Sequence, residues 1–481
     1  MNSLLLLGVV LGYFAVLLLV AWSTSRHASN ETFFIGNKSS NWMLVAFGMV
    51  GTSLSGVTFI SVPGAVGRDG FAYFQLVLGN LIGFWLVAFV LLPLYYRHQL
   101  TSIYHYLGKR LGVSAYKTGA TFFIVSRTLG ATARLYLVVN ILQAIILERL
   151  GVPFWLTSLV ILLMILLYTY EGGVKTIVWT DTLQTTCMLG GLLICAGFLL
   201  DRLNLDVPQS LAAMDVRGLS AVWVTDPNSR FFFAKQIVAG IFITLAMTGL
   251  DQEMMQKNIS VRTLADSQKN MVTLSLVFTG VVLLFLFLGG LLSLFTAQAR
   301  MAETGDRIFA AVVLGHLPPA VQIIFVIALI SALFPSADGA ITALTSSFCI
   351  DLLGLQTRTD WSEARKKRVR HQVHVGFAAL FLLLVMVFKW IDDPSMIGLI
   401  LKLAAYTYGP LLGLFAFGML TTRQVRGNWV PWVCLAAPAL CYVVDANQQI
   451  LFGSYQIGLE LLLLNGALTF GGLWLVSQRA R

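Results

Sequence analysis

The stretch IALISALFPSADGAITALTSSFCIDLL, residues 327–353, decides how the rest of the chain is read. It is long and apolar enough to cross a bilayer. Its middle nonetheless carries Pro335, Ser336, Asp338 and Gly339, followed by Thr342, Thr345, Ser346 and Ser347. A carboxylate near a bilayer centre costs about 2.5–3.5 kcal/mol on insertion scales. A proline removes a backbone donor and frees the carbonyl one turn earlier, here that of Ser331. A helix built only to span would carry neither feature. Freed carbonyls, hydroxyls and one carboxylate are hard oxygen ligands suited to a small cation. The plainer alternative is that Asp338 hydrogen-bonds a neighbouring helix while Pro335 merely kinks its own. Intramembrane ionisable residues are usually functional, which favours the cation reading.

Composition places that stretch in an all-α integral membrane protein. Of 481 residues, 57% are hydrophobic and 11% charged, with a mean hydropathy of +0.81; soluble domains average about 25% charged. The net charge of +10 comes from basic residues in short loops between apolar runs, which points to membrane topology and away from nucleic acid. The five cysteines, Cys187, Cys195, Cys349, Cys434 and Cys441, are odd in number and lack CxxC spacing, so they read as packing residues without a metal or disulfide role. Residues 3–22 have no basic leader and read as a retained helix, not a cleaved signal.

Roughly twenty apolar residues span a bilayer. That rule yields thirteen spans: a leading helix at 3–22, then spans one to twelve at 42–66, 70–95, 118–147, 152–170, 178–200, 231–250, 270–297, 319–353, 372–390, 396–420, 428–444 and 455–476. With the N-terminus outside and the C-terminus in the cytoplasm, the inner loops hold 20 Lys and Arg residues and the outer loops 7, the asymmetry expected of a cell (inner) membrane protein. The loops 201–230 and 298–318 mix apolar and charged residues and are expected to form short interfacial helices. The basic run 365–370 reads as an inner anchor.

Chemistry concentrates in five further places. Span one carries Gly48, Gly51 and Gly56, closes at Pro63, and supplies hydroxyls from Thr52, Ser53, Ser55, Thr58 and Ser61. Such a segment unwinds easily at mid-membrane, where bare carbonyls can bind an ion, although small-residue helix packing also uses glycines. Asp181 and Gln184 in span five share a face and fit either a site or an interfacial cap. Gly240 interrupts span six, which runs into Asp251, Gln252 and Gln256 at its inner end, read as gate or loop contacts. Arg127 and Arg134 in span three lie seven apart on one side; they suit carboxylate recognition, or could pair with Asp181 or Asp338, or snorkel. Span ten offers Lys402, Tyr406, Thr407 and Tyr408 before a Gly-Pro step, a substrate wall or an interfacial anchor. The six histidines fall in loops or near span ends, which argues against an enzyme.

Several of these stretches resemble the sodium/solute symporter family, whose members carry sugars, sialic acid, amino acids, vitamins and anions. NETFFIGNKSSNW (30–42), GGVKTIVWTDTLQ (172–184), GLDQEMMQK (249–257), the serine-rich span eight ending at Asp351, and YTYGPLLGLFAFG (406–418) appear in the family's order over about residues 30–420. The resemblance implies a leucine-transporter-type fold. Two inverted five-helix repeats, 42–200 and 231–420, would follow the leading helix 3–22 and precede two trailing helices at 428–476. It implies a main sodium site on Gly51, Leu54, Ala332, Pro335 and Ser336, with Pro335 replacing a usual serine. A second cation site would fall on Asp181, Asp338 and Gly339. Substrate contacts would come from Ser53, Ser55, Thr58, Phe74, Gln75, Arg127 and Tyr406.

The implied activity is sodium-coupled import of a small polar solute (a sugar, sialic acid or other carboxylate, or an amino acid) by alternating access. Na+ is the coupling ion, no organic cofactor is called for, and the partners are the solute and the lipid bilayer. Proton coupling through Asp338 and a non-transporting solute receptor are the alternatives. The sequence leaves the oligomeric state open, a monomer included.

Overall fold

A computed structural model describes residues 3–24, 40–391 and 396–479. Of the stretches carrying the resemblance, 30–39 lies outside the described residues. Among those residues, nine helices are long and apolar enough to cross a membrane: Leu5–Thr24, Trp42–Asp69, Tyr73–Arg97, Val113–Leu142, Thr176–Leu203, Leu264–Ala299, Pro319–Leu352, Glu363–Ile391 and Gly427–Ala446. Two bent pairs bring the number to as many as eleven: Phe233–Gly249 with Gln252–Ile259, and Met396–Thr407 with Gly409–Leu420. The two remaining expected spans fall on shorter apolar helices, Phe154–Tyr170 and Leu461–Leu475.

Span eight is the axis of the bundle. Every residue from 328 to 347 is buried, although the run includes an aspartate, a proline and six hydroxyl side chains. The leading, ninth and trailing helices instead turn large apolar side chains outward; Leu19, Leu383, Trp432 and Leu475 are exposed. This inverted distribution, polar within and apolar without, suits a bilayer as solvent.

Spans two and six pack backbone against backbone. A Cβ on Gly79 would lie 2.9 Å from Gly240 Cα, closer than any real Cβ approaches another atom. Gly240 is therefore a packing glycine and continues its helix, contrary to the expected interruption there. We predict that Gly240→Val, which pries these helices apart, will cost about 1–3 kcal/mol, read as a lower thermal unfolding midpoint of the purified protein.

The break in span one falls within the expected glycine-rich segment, next to Gly56, whereas that in span six lies beyond Gly240. Span one bends at Ser55, a non-glycine with φ 44° and ψ 166°, and its helix runs through Pro63 to Asp69. Span six turns by 65° between Gly249 and Gln252. Tyrosines satisfy the carbonyls released there: Tyr95 donates to Gly249 O at 2.7 Å and Tyr104 to Leu250 O at 2.9 Å. Span ten bends by 42° around Tyr408, at the expected Gly-Pro step. Spans four and five fall on Phe154–Tyr170 and Thr176–Leu203, on either side of residues 171–175. Span nine starts at Glu363, so the basic run 365–370 is helical and Arg370 is buried. His374 is also buried there, with its ring nitrogens 3.0 Å from the Thr169 and Thr345 hydroxyls. The loops 201–230 and 298–318 do contain short helices, Val207–Val216 and Ile308–His316.

Candidate functional site

The break in span one meets span eight at the centre of the bundle. Ser55 cannot pass the helical hydrogen-bond ladder across itself, so carbonyls of the preceding turn are left for other partners. Gly56 lies against span eight; a Cβ there would stand 3.6 Å from the Ala332 carbonyl oxygen. One turn on, Pro335 has no N–H to give, and the Ser336 hydroxyl donates to Leu333 O at 2.8 Å while its lone pairs remain available. Gly51, Leu54, Ala332, Pro335 and Ser336 are all buried. The helices bearing these five residues thus touch near the bend of span one and the proline of span eight. That all-oxygen chemistry fits a sodium ion as cargo.

On the span-five side lies a buried charge cluster. Asp181 Oδ2 accepts from Lys257 Nζ at 2.7 Å and from the Thr52 hydroxyl at 3.2 Å. Lys257 Nζ also stands 3.5 Å from Glu253 Oε1, and Glu253 Oε2 pairs with the Arg127 guanidinium. Arg127 lies 3.9 Å from Asp251 Oδ2, which accepts from the Tyr408 hydroxyl at 2.7 Å. Asp338 is fully buried and pairs differently: its Oδ2 accepts from the Tyr168 hydroxyl of span four at 2.7 Å, and its Oδ1 from Gly339 N. The two arginines of span three therefore pair with neither Asp181 nor Asp338.

Above this cluster is a cavity of about 120 Å³ lined by spans one, two, three, six, seven and ten. Ser53, Ser55, Thr58, Arg127 and Arg134 line it, with Asn80, Thr244 and Thr248 and an apolar remainder. Ser53 Oγ is buried without a hydrogen-bond partner among the described residues. No carboxylate lies within ion-pair distance of Arg134 among those residues, whereas the guanidinium of Arg127 is already held by Glu253. Phe74, Gln75 and Tyr406 do not line this cavity among the described residues. The Gln75 amide holds Ala72 O, Phe231 O and Val224 N; the Tyr406 hydroxyl donates to Asp445, itself paired with Lys402.

Ile397 also lines a second cavity, of about 950 Å³, bounded by Arg68, Arg217, Glu303 and Arg307 on the side of loops 201–230 and 298–318. The opposite side is sealed: residues 251–261 are buried throughout, and Gln252 bonds Ile103 N and Thr101 O at 3.1 Å each.

The sequence profile of the Sodium:solute symporter family matches residues 33–427, most of the chain. The chain belongs to that family. It is 29% identical over 265 residues to the human sodium/iodide cotransporter, a match covering 52% of this chain and 40% of that protein. It is 21% identical over 468 residues to the sodium/sialic acid symporter of Proteus mirabilis, covering 92% and 90%. Its fold superposes on a solved Na+-coupled sialic acid symporter in a substrate-bound outward-open state with a TM-score of 0.82 at 16% identity, covering 99% of each chain. The fold is thus of the leucine-transporter type, and the chain is a multi-pass membrane protein.

Two side chains of this family member went unremarked in the sequence as site residues. Glu253 and Lys257 looked like inner-loop charges because they follow the apolar run of span six. A carboxylate and a lysine four residues apart on a short helix share a face, and that spacing was the available signal. The 65° bend, which no single residue type announces, carries them into the core.

Proposed function

We propose that the chain imports a small organic carboxylate, driven by sodium, by alternating access across the cell (inner) membrane, with the N-terminus outside. The observation that carries this reading is Arg134, whose guanidinium lines the central cavity with no carboxylate within ion-pair distance among the described residues, together with the Ser53 hydroxyl of the same cavity, which has no hydrogen-bond partner among them. Arginine recognises carboxylates bidentately. The size of the cavity, about 120 Å³, supports a solute of few atoms; a dry cavity of about 150 Å³ takes benzene. The family relatives named for sodium coupling support Na+ as the ion, held by Gly51, Leu54, Ala332, Pro335 and Ser336. A vestibule open on one side and a sealed span-six end on the other support an outward-facing state. The two repeats, 42–200 and 231–420, would each begin with a broken helix.

The test is thermal unfolding of the purified protein against two- to four-carbon carboxylates, their neutral amides, and sugars, each with sodium and with a sodium-free salt of equal ionic strength. A ligand at about 100 times its Kd adds about 2.7 kcal/mol. A carboxylate should stabilise only with sodium, and its amide should not. Equal shifts for acid and amide would remove Arg134 from recognition, and equal shifts in both salts would remove sodium. Ser336→Ala should raise the sodium concentration needed for the shift more than Asp351→Ala, because Asp351 is held by Ser347 and Tyr116 at the far end of span eight.

A further inference from the structure

Lys257 lies where a free cation would have to sit. Its ammonium donates to Asp181 Oδ2 and to Thr52 Oγ1 at 2.7 Å each, and stands 3.5 Å from Glu253 Oε1. A Cβ on Gly339 would come within 3.3 Å of the same nitrogen. Spans one, five, six and eight thus converge on one ammonium. Its surroundings, two carboxylates and a hydroxyl, are the all-oxygen set that a small metal cation takes. The groups are sealed from water: Asp181 is 0% exposed, Glu253 2% and Lys257 3%. Asp181 Oδ1 accepts no hydrogen bond among the described residues, so this carboxylate keeps acceptor capacity that the lysine does not use. With the ammonium removed, Glu253 would keep Arg127, but Asp181 would keep only the Thr52 hydroxyl among the described residues, a buried charge without a cation beside it.

We propose that Lys257 is a tethered cation filling this second site, so that the protein cycles with one free sodium ion where its oxygen ligands would otherwise take two. The inference rests on the reading of the main site as a sodium site and adds which cation the neighbouring site takes. Gly339 leaves room for the arrangement, since a Cβ there would come too close to Glu253 Oε1, the carboxylate beside the ammonium. Lys257 sits on Gln252–Ile259, beyond the 65° bend of span six. The ammonium therefore arrives and departs with that helix, and the position of the helix sets the occupancy of Asp181, not the sodium concentration.

The test counts radioactive sodium bound per chain at equilibrium by the purified full-length protein. Wild type should bind one ion, Lys257→Ala one more than wild type, and Asp181→Asn/Lys257→Ala no more than wild type. Lys257→Gln is the second variant should Lys257→Ala not be recovered folded. Two ions bound by wild type would overturn the proposal without any variant, and so would a folded Lys257 variant with no added ion. If wild type binds none and Lys257→Ala binds one, the tethered cation stands and the main-site reading falls.

Discussion

Glu253→Ala will destabilise the protein by about 3–5 kcal/mol and abolish uptake. Among the described residues, Glu253 is the carboxylate that touches both Arg127 and Lys257: it pairs with the first and stands 3.5 Å from the second. Both cations have side chains 4% exposed, so neither can turn to water when the partner goes. Arg127 would keep only Asp251, at 3.9 Å. Removing one member of a buried ion pair costs that much because a desolvated charge is left uncompensated. Removing both members with apolar replacements of similar volume avoids the penalty, so Arg127→Met/Glu253→Leu should recover most of the lost stability while remaining inactive. Thermal unfolding and sodium-driven uptake in proteoliposomes read the two effects separately. An unfolding midpoint unchanged by Glu253→Ala would show that the cluster does not hold the bundle together.

Arg134→Met will leave stability nearly unchanged but weaken carboxylate binding by about 2–5 kcal/mol, the cost of truncating one partner of a buried charged hydrogen bond. That corresponds to at least about 30-fold in apparent affinity. The contrast with Arg127→Met is the discriminating result, since Arg127 is engaged by Glu253 and its loss should lower stability first. Arg134→Lys should rescue only in part, because an ammonium lacks the planar fork. A carboxylate KM unmoved by Arg134→Met would place the solute elsewhere.

Spans could be read from the sequence because a bilayer imposes length and apolarity on every helix that crosses it. All thirteen expected apolar stretches fall on helices, and the oddity of span eight was legible because Asp338 and Pro335 are costly in such a place. The bends were less legible. Gly240 advertises flexibility but serves close packing, while Ser55 and Leu250 carry the turns because neighbouring helices hold them there. Tyr95 and Tyr104 bond the carbonyls freed at span six from distant parts of the chain, and no local pattern encodes that. The charge cluster was hidden for the same reason. Lys257 looks like a loop lysine until the bend is known, and the availability of Arg134 depends on Glu253 having taken Arg127.

The two halves of span one are fastened to different neighbours. On one side of Ser55, Gly48 lies so near span five that a Cβ would stand 3.2 Å from Asp181 Cβ, and Thr52 bonds the same aspartate. On the other side, Gly64 presses against Gly305, and a Cβ on Gly289 of span seven would come within 2.8 Å of Pro63 Cα. Ser55 is therefore a fulcrum between two lever arms, one riding on span five and the other on span seven. Relative travel of those helices could be absorbed as rotation about the two dihedral angles of Ser55.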